Sequence, residues 1–285
     1  MSPPPTGRSP AGPVARGEPP ASFWRDPAVP FAESRRACRS RACYAPHHHP
    51  TFSIGAVDEG RSVFAGAPDG PVALRPGTLV FVPAGRVHAC NPAPDTAWSY
   101  QMLHLDADWL RAVRREYARD QAGGAEPVRI DTDPAAYGRF RRLNALLFSA
   151  ADPRDKESAL IEFMGRADTG SGLRIEAPIV PAASAARIRP ALDRLRAAPD
   201  ADIPLAELAR LADLSRYQLI RAFRRVTGMT PHAWQLNQRV NLARTWIRQG
   251  AGLSEIALRL GFADQAHFQR VFKAHAGVTP GRFRA

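Results

Sequence analysis

LAELARLADLSRYQLIRAFRRVTG, Leu205–Gly228, and LSEIALRLGFADQAHFQRVFKAHAG, Leu253–Gly277, are the two stretches whose reading decides the fold. Each joins a short apolar-periodic helix, a tight break, and a second helix with basic and amide side chains on its outer face. In the first, Leu205, Leu208, Ala209 and Leu211 give the leading helix its apolar face. Asp213-Leu-Ser215 makes the turn, with Ser215 as N-cap of the next helix. There Leu219, Ala222, Phe223 and Val226 face inward, and Arg216, Tyr217, Ile220, Arg221 and Arg224 face out. In the second, Ile256, Leu260 and Phe262 form the core face, Asp264 is the N-cap, and Phe268, Val271 and Phe272 point inward. Gln265, His267, Gln269 and Arg270 remain outside. The pattern predicts two helix-turn-helix units, and the outer face of the second helix of such a unit is the part that enters a DNA major groove.

Charge agrees with that partner. Residues 203–285 hold 13 Lys+Arg against 4 Asp+Glu, a net +9, whereas the whole chain is +12. A concentrated basic face is the electrostatic footprint of a polyanion. Only Lys156 and Lys273 are lysine, and arginine suits bidentate phosphate and guanine contacts. The candidate DNA contacts are Arg216, Tyr217, Gln218, Arg221 and Arg224 in the first unit, and Gln265, His267, Gln269 and Arg270 in the second. Arginine matches guanine O6/N7 and glutamine matches adenine N6/N7.

The 285 residues suffice for two ordinary domains. No run of about 18 apolar residues suggests a membrane span. The opening segment, Met1–Pro20, is rich in Pro and Gly and lacks the apolar stretch of a signal peptide. The expectation is a disordered tail over residues 1–28 and a cytoplasmic protein. Cys38, Cys43 and Cys90 form neither a disulfide framework nor a CxxC pair, and are read as buried small apolar residues. Ala37–Asp106 alternates in short runs broken by Gly and Pro, which predicts a small antiparallel barrel or sandwich. Asp108–Arg166 turns helical, with Phe140, Leu143, Asn144 and Leu147 at i, i+3, i+4 and i+7. Residues 168–184 carry Gly and Pro breaks without a period and read as a linker. The expected fold class is α+β, with a barrel and helical pair over 29–167 and an all-α double helix-turn-helix domain over 185–285.

Ala257–Arg284 resembles the DNA-binding domain of the AraC family of bacterial transcription regulators. The shared features are the Gly-Phe pair, Phe-x-Arg-x-Phe-Lys, and the closing Gly-x-Thr-Pro-x-x-x-Arg. Leu219–Phe223 and Thr227-Gly228-x-Thr230-Pro231 match as well. The resemblance implies seven helices, with Pro231–Gln249 joining the two units, and recognition helices roughly 34 Å apart in successive major-groove segments. It places Tyr217, Ile220 and Arg221, then Gln265, Ala266, His267 and Arg270, at base-facing positions. Ile220 and Ala266 offer no hydrogen bond, so readout rests on Arg221, Gln265, His267 and Arg270.

CYAPHHHPTF, Cys43–Phe52, and GTLVFVPAGRVHACN, Gly77–Asn91, resemble the two motifs of a cupin barrel. The implied effector pocket comprises Tyr44, His47, His49, His88, Trp98 and Tyr100, for a small molecule of unspecified identity. His48 is expected to point outward. In metal cupins two His, a Glu and a later His gather one ion. Here Ser53 or Ile54 stands where the Glu belongs, so no cofactor is expected; the ligand candidates for a metal are His47, His49 and His88, with His104 or Cys90 as substitutes. The resemblance further implies a homodimer formed through the helical segment, and RNA polymerase as a partner if the protein is an activator, which the family favours over a repressor. The alternatives are a metal-dependent cupin enzyme carrying a DNA-binding domain, and a constitutive regulator with an empty barrel.

Overall fold

A computed structural model describes residues 21–116 and 126–284. Residues 1–20 of the tail expected over 1–28 fall outside them. The rest of that expected tail is ordered. Ser22–Arg25 forms strand β1, because it pairs antiparallel with β2, Ala32–Ser40, in the register Phe23 to Arg35 and Trp24 to Ser34. Strands β3 (Phe52–Glu59), β4 (Ser62–Ala65), β5 (Val72–Leu74), β6 (Leu79–Val82), β7 (Ala89–Pro92) and β8 (Trp98–Leu105) follow. Helix α1 (Ala107–Glu116), strand β9 (Val128–Asp131), and helices α2 (Pro134–Leu147) and α3 (Pro153–Ala167) complete the first domain, together with β10 (Leu173–Ile175). Two antiparallel sheets result, in the orders β1-β2-β8-β3-β6-β9-β10 and β5-β4-β7. The expected linker is therefore structured at both ends: Leu173–Ile175 pairs with β9, and helix α4 already begins at Ala182.

Alternation along the strands sorts the side chains into two layers. Phe52, Ile54 and Ala56 of β3, Leu79 and Phe81 of β6, and Leu103 and Leu105 of β8 face α2 and α3. They meet Phe140, Leu143, Leu147, Leu160, Phe163 and Met164. The opposite residues, Val57, Val80, Val82, Trp98 and Tyr100, line the barrel interior, which Phe64 and Leu74 of the smaller sheet close. Asn144, the polar member of the helical stripe, is buried but satisfied: it accepts from Ser34 Oγ at 2.8 Å and donates to Gln101 Oε1. The apolar face of the helical pair is used up on its own sheet. Among the described residues of α2 and α3, no large hydrophobic side chain is left exposed.

The second domain has seven helices among the described residues: α4 (Ala182–Ala197), α5 (Leu205–Leu211), α6 (Arg216–Thr227), α7 (Pro231–Arg248), α8 (Leu253–Arg259), α9 (Gln265–Ala276) and α10 (Pro280–Arg284). Ser215 caps α6 in a reciprocal box with Gln218, and Asp264 caps α9 through the amide of His267. Gly228 and Gly277 end these two helices in the left-handed conformation that favours glycine. Two cores flank α7: Ile188, Leu195, Leu219, Phe223 and Trp234 on the first unit, and Ile247, Ile256, Phe262, Phe268, Phe272 and Phe283 on the second.

Candidate nucleic-acid interface and sensor cavity

Helix α6 presents Arg216, Tyr217, Gln218, Arg221 and Arg224 to solvent, and Tyr217 is 68% exposed despite its ring. An exposed aromatic beside arginines, with Arg221 over the Tyr217 ring at 5.7 Å, suits a phosphate- and base-rich surface. Gln218 is only partly free, since its Oε1 accepts from the Ser215 amide at 2.9 Å. Arg224 lies at the rim of a groove between the domains as well as on the outer face of α6. On α9, Gln265 and Arg270 are exposed, whereas Gln269 and His267 are half-buried. The His267 ring stands edge-on to Phe262 at 5.5 Å. Ser254 Oγ donates to Gln265 Oε1 at 2.9 Å, which fixes the amide's orientation and leaves its NH2 outward.

The sensor residues converge. Residues 41–51 are not a regular strand. A single bridge joins His47 to His88, with the His47 amide donating to the His88 carbonyl at 3.0 Å and the reverse bond at 2.9 Å. That crosslink brings His47, His49 and His88 together with ring separations of 4.8–5.5 Å, and His104 lies 4.8 Å from His49. Tyr44 and Tyr100 join hydroxyl to hydroxyl, and Trp98 stacks on Tyr100 at 4.1 Å. All six expected pocket residues line one cavity of about 60 Å³.

Sequence reasoning missed the other wall. Arg35 of β2, Arg244 of α7, and His275 and Ala276 of α9 also line the cavity, so the DNA-reading domain supplies part of its wall. Arg244 Nη1 donates to His49 Nδ1 at 2.7 Å, Arg35 Nη1 to the Ala276 carbonyl at 2.7 Å, and the Ala45 amide to the Ala274 carbonyl at 2.9 Å. The last two satisfy carbonyls that the C-terminal end of any helix leaves open. His48 does not point outward: its ring Nε2 faces the Gln238 amide of α7 at 3.5 Å and its Nδ1 is buried. Its carbonyl accepts from Asn237 and Asn241 of α7 at 3.1 and 3.2 Å. Glu33 of β2 pairs with Arg25 and with Arg248 of α7. At the far end of the chain, Arg25 donates to the Phe283 carbonyl, and Phe23 packs edge-on to the Phe283 ring. The first reader touches the sensor less: Val87 lies over Gly228, beside an interdomain groove of about 710 Å³.

Burial sets the protonation states. It holds His47 and His49 well below the usual imidazole range and pushes His88 and His104 down to about 4, with the Arg244 guanidinium adding to the effect. Burial lowers Arg244 itself to about 10, so it stays charged at neutral pH. The imidazoles test the metal reading. Ring nitrogens of His47, His49 and His88 lie within 4.8 Å of one another. His47 and His88 donate through Nδ1 to the carbonyls of Ala45 and Arg86, which leaves Nε2 lone pairs, as in metal sites. His49 is different. Its Nδ1 accepts from Arg244, which places its proton on Nε2. Ser53, at the position of the absent carboxylate, hydrogen-bonds His104 at 2.9 Å, and burial pushes the Cys90 thiol up to about 12. Among the described residues, two cations and no carboxylate line the cavity, so the three imidazoles are what it would offer a divalent ion, and one of them, His49, already accepts from Arg244. The other cysteines are not core residues, since Cys38 and Cys43 are exposed.

No helix among the described residues is long and apolar enough to cross a membrane. Comparisons with known proteins agree with the geometry. Residues 34–164 match the family described as AraC-like ligand binding domain, and residues 208–285 match a helix-turn-helix domain family. The arabinose operon regulatory protein of Salmonella typhimurium is 26% identical over 74% of this chain and 75% of its own length. The regulator RipA of Corynebacterium diphtheriae is 25% identical over 79% of this chain and 58% of its own. Among solved structures, ToxT of Vibrio cholerae O395 shares the fold with a TM-score of 0.55 at 10% identity, covering 89% of this chain and 97% of that one. ToxT has also been solved with an unsaturated fatty acid bound, a structure that aligns with a TM-score of 0.55 at 12% identity over 95% of this chain and 97% of that one. Sensor barrel, paired readers and these likenesses together identify the chain as a member of the AraC family of transcription regulators.

Proposed function

We propose that the chain is an effector-responsive, sequence-specific DNA-binding regulator whose sensor cavity is read directly by the second helix-turn-helix unit. The observation that carries this is the shared wall: Arg244, His275 and Ala276 of the reader face His47, His49 and His88 of the barrel. A ligand that enters alters contacts made by α7 and the end of α9, and so shifts the population of readers free to engage DNA. The ToxT complex, in which a protein of this architecture holds a small molecule, supports the reading. Activation, with RNA polymerase as partner, remains the family's default sign. A homodimer would strengthen DNA binding by avidity, although the helical pair offers no unpaired apolar face for it. Histidines without a carboxylate favour regulation over metal-dependent catalysis.

The test is recovery and sequencing of genomic fragments bound by the purified full chain, followed by titration of a recovered site. A recurrent two-part motif with half-sites about one helical turn apart is expected. Fragments without a shared motif would refute sequence-specific regulation. For the cavity, Arg244→Met is expected to change operator affinity in the full chain, and an unchanged affinity would refute reading through this wall.

A further inference from the structure

Three residues that line the cavity each leave a buried N–H without an acceptor: Arg35 Nε, Arg244 Nε and Trp98 Nε1. Buried donors left unpaired are costly, and two of these belong to guanidinium cations. Among the described residues no carboxylate lines the cavity: Glu33 lies near enough to favour the charged forms of Arg35 and Arg244, but its ion pairs are with Arg25 and Arg248, and the three N–H groups stay unpaired. The occupant these groups describe is rich in oxygen acceptors and negatively charged. A second polar requirement comes from the histidines. His47 and His88 turn Nε2 lone pairs, not N–H groups, toward their neighbours. A lone pair asks for a donor such as a hydroxyl. The cavity, about 60 Å³, admits only a few non-hydrogen atoms.

We infer that the cavity binds a small hydroxy carboxylate, whose carboxylate bridges Arg35 of the sensor and Arg244 of the reader while Trp98 donates to it, and whose hydroxyl donates to His47 or His88. This rests on the proposed reading of the cavity as a sensor and names the ligand class. The bridge joins the two domains through a single anion, so its occupancy strengthens the docked arrangement of the second reader.

The test uses the full chain with glycolate and lactate as probes, their deoxy counterparts acetate and propionate as controls, and chloride at matched ionic strength. Calorimetric titration and the unfolding midpoint are the readouts. One hydroxy acid is expected to bind with 1:1 stoichiometry, to raise the midpoint saturably, and to bind more tightly than its deoxy counterpart. Arg244→Met should weaken binding about tenfold or more, as loss of a charge-assisted bond does. Trp98→Phe, which removes one donor and keeps an aromatic ring, should weaken it several-fold and covers the case in which Arg244→Met does not fold. Four results overturn the inference: no probe shifts the midpoint beyond chloride; acetate and propionate bind as well as glycolate and lactate; both variants bind as tightly as the parent, which means an adventitious ion only; or a stoichiometric divalent metal copurifies and His47→Ala abolishes its retention. Failure here is separable from failure of the regulatory reading. If operator affinity changes in Arg244→Met but no carboxylate alters it in the parent, only the ligand class is wrong. If operator affinity is indifferent to Arg244→Met, the sensor reading itself is wrong.

Discussion

Arg35 reaches from the second strand of the barrel to the carbonyl of Ala276, the last residue of the second recognition helix, at 2.7 Å. A side chain from the sensor thus completes a helix of the reader. Arg35→Met should leave that carbonyl open and loosen the last turn of α9. Hydrogen exchange of the full chain is expected to accelerate at the amides following Lys273 by about tenfold, which corresponds to roughly 1–2 kcal/mol for a buried bond to a charged donor. Unchanged exchange there would show that solvent replaces the cap at no cost.

Gly277 and Gly250 separate docking from backbone strain. Both have positive φ, +69° and +87°. A Cβ at Gly250 meets nothing within 4 Å, while one at Gly277 would run into the Tyr44 hydroxyl. Gly250→Ala should therefore cost only the left-handed penalty, about 1–2 kcal/mol. Gly277→Ala should cost more, and Tyr44→Ala in the same chain should recover the excess. Urea unfolding of the two single variants and the double variant measures this.

Arg270→Ala should cost about 1–3 kcal/mol of specific binding and relax preference at one base pair. Arg224→Ala should weaken all sequences alike and flatten the salt dependence by about one unit of slope. Binding to the selected site and to three mismatched sites, each at two salt concentrations, distinguishes the roles. Uniform weakening in Arg270→Ala would make it a phosphate contact.

Acid should loosen the molecule before it reaches the carboxylate range. An unfolded imidazole takes up its proton near pH 6.5, while folded His88 and His104 resist until about 4. Between those values the unfolded chain binds more protons, so stability is fully present above pH 6.5 and declines as pH falls toward 4. Each such histidine contributes up to about 1.4 kcal/mol per pH unit. The unfolding midpoint is expected to be level from pH 8 to 7 and to drop below 6. A level midpoint down to pH 5 would mean the imidazoles are solvated. Glu33, whose carboxyl is held below its usual value by Arg25, does not account for a loss at pH 6.

The reader was legible in the sequence because its signals are local. Ser215 and Asp264 cap the helices they were expected to cap, and the spacing of Phe268 and Phe272 gives the buried face directly. The barrel class was legible for the same reason, through alternation. What escaped is non-local. Trp24 looked like part of a tail because a four-residue strand is stable only beside its partner, here β2. His48 looked exposed because its neighbours on α7 lie 189 or more residues away in sequence. Arg244 fell on a helix read only as a spacer, and only docking puts it against His49. The one local hint was a polar stripe on α7, Asn237, Asn241 and Arg244, running beside its apolar face.

If the cavity holds an effector as proposed, a wall that belongs to the DNA reader couples it to DNA. Linkage is reciprocal: whatever factor an occupant imposes on operator affinity, the operator imposes on the occupant's affinity. On the proposed effector reading, the sensitivity of this regulator would therefore not be a constant of the barrel. Molecules seated on a promoter and molecules free in solution would respond at different ligand concentrations, and the number of binding sites in a genome would help set the threshold at which the response occurs.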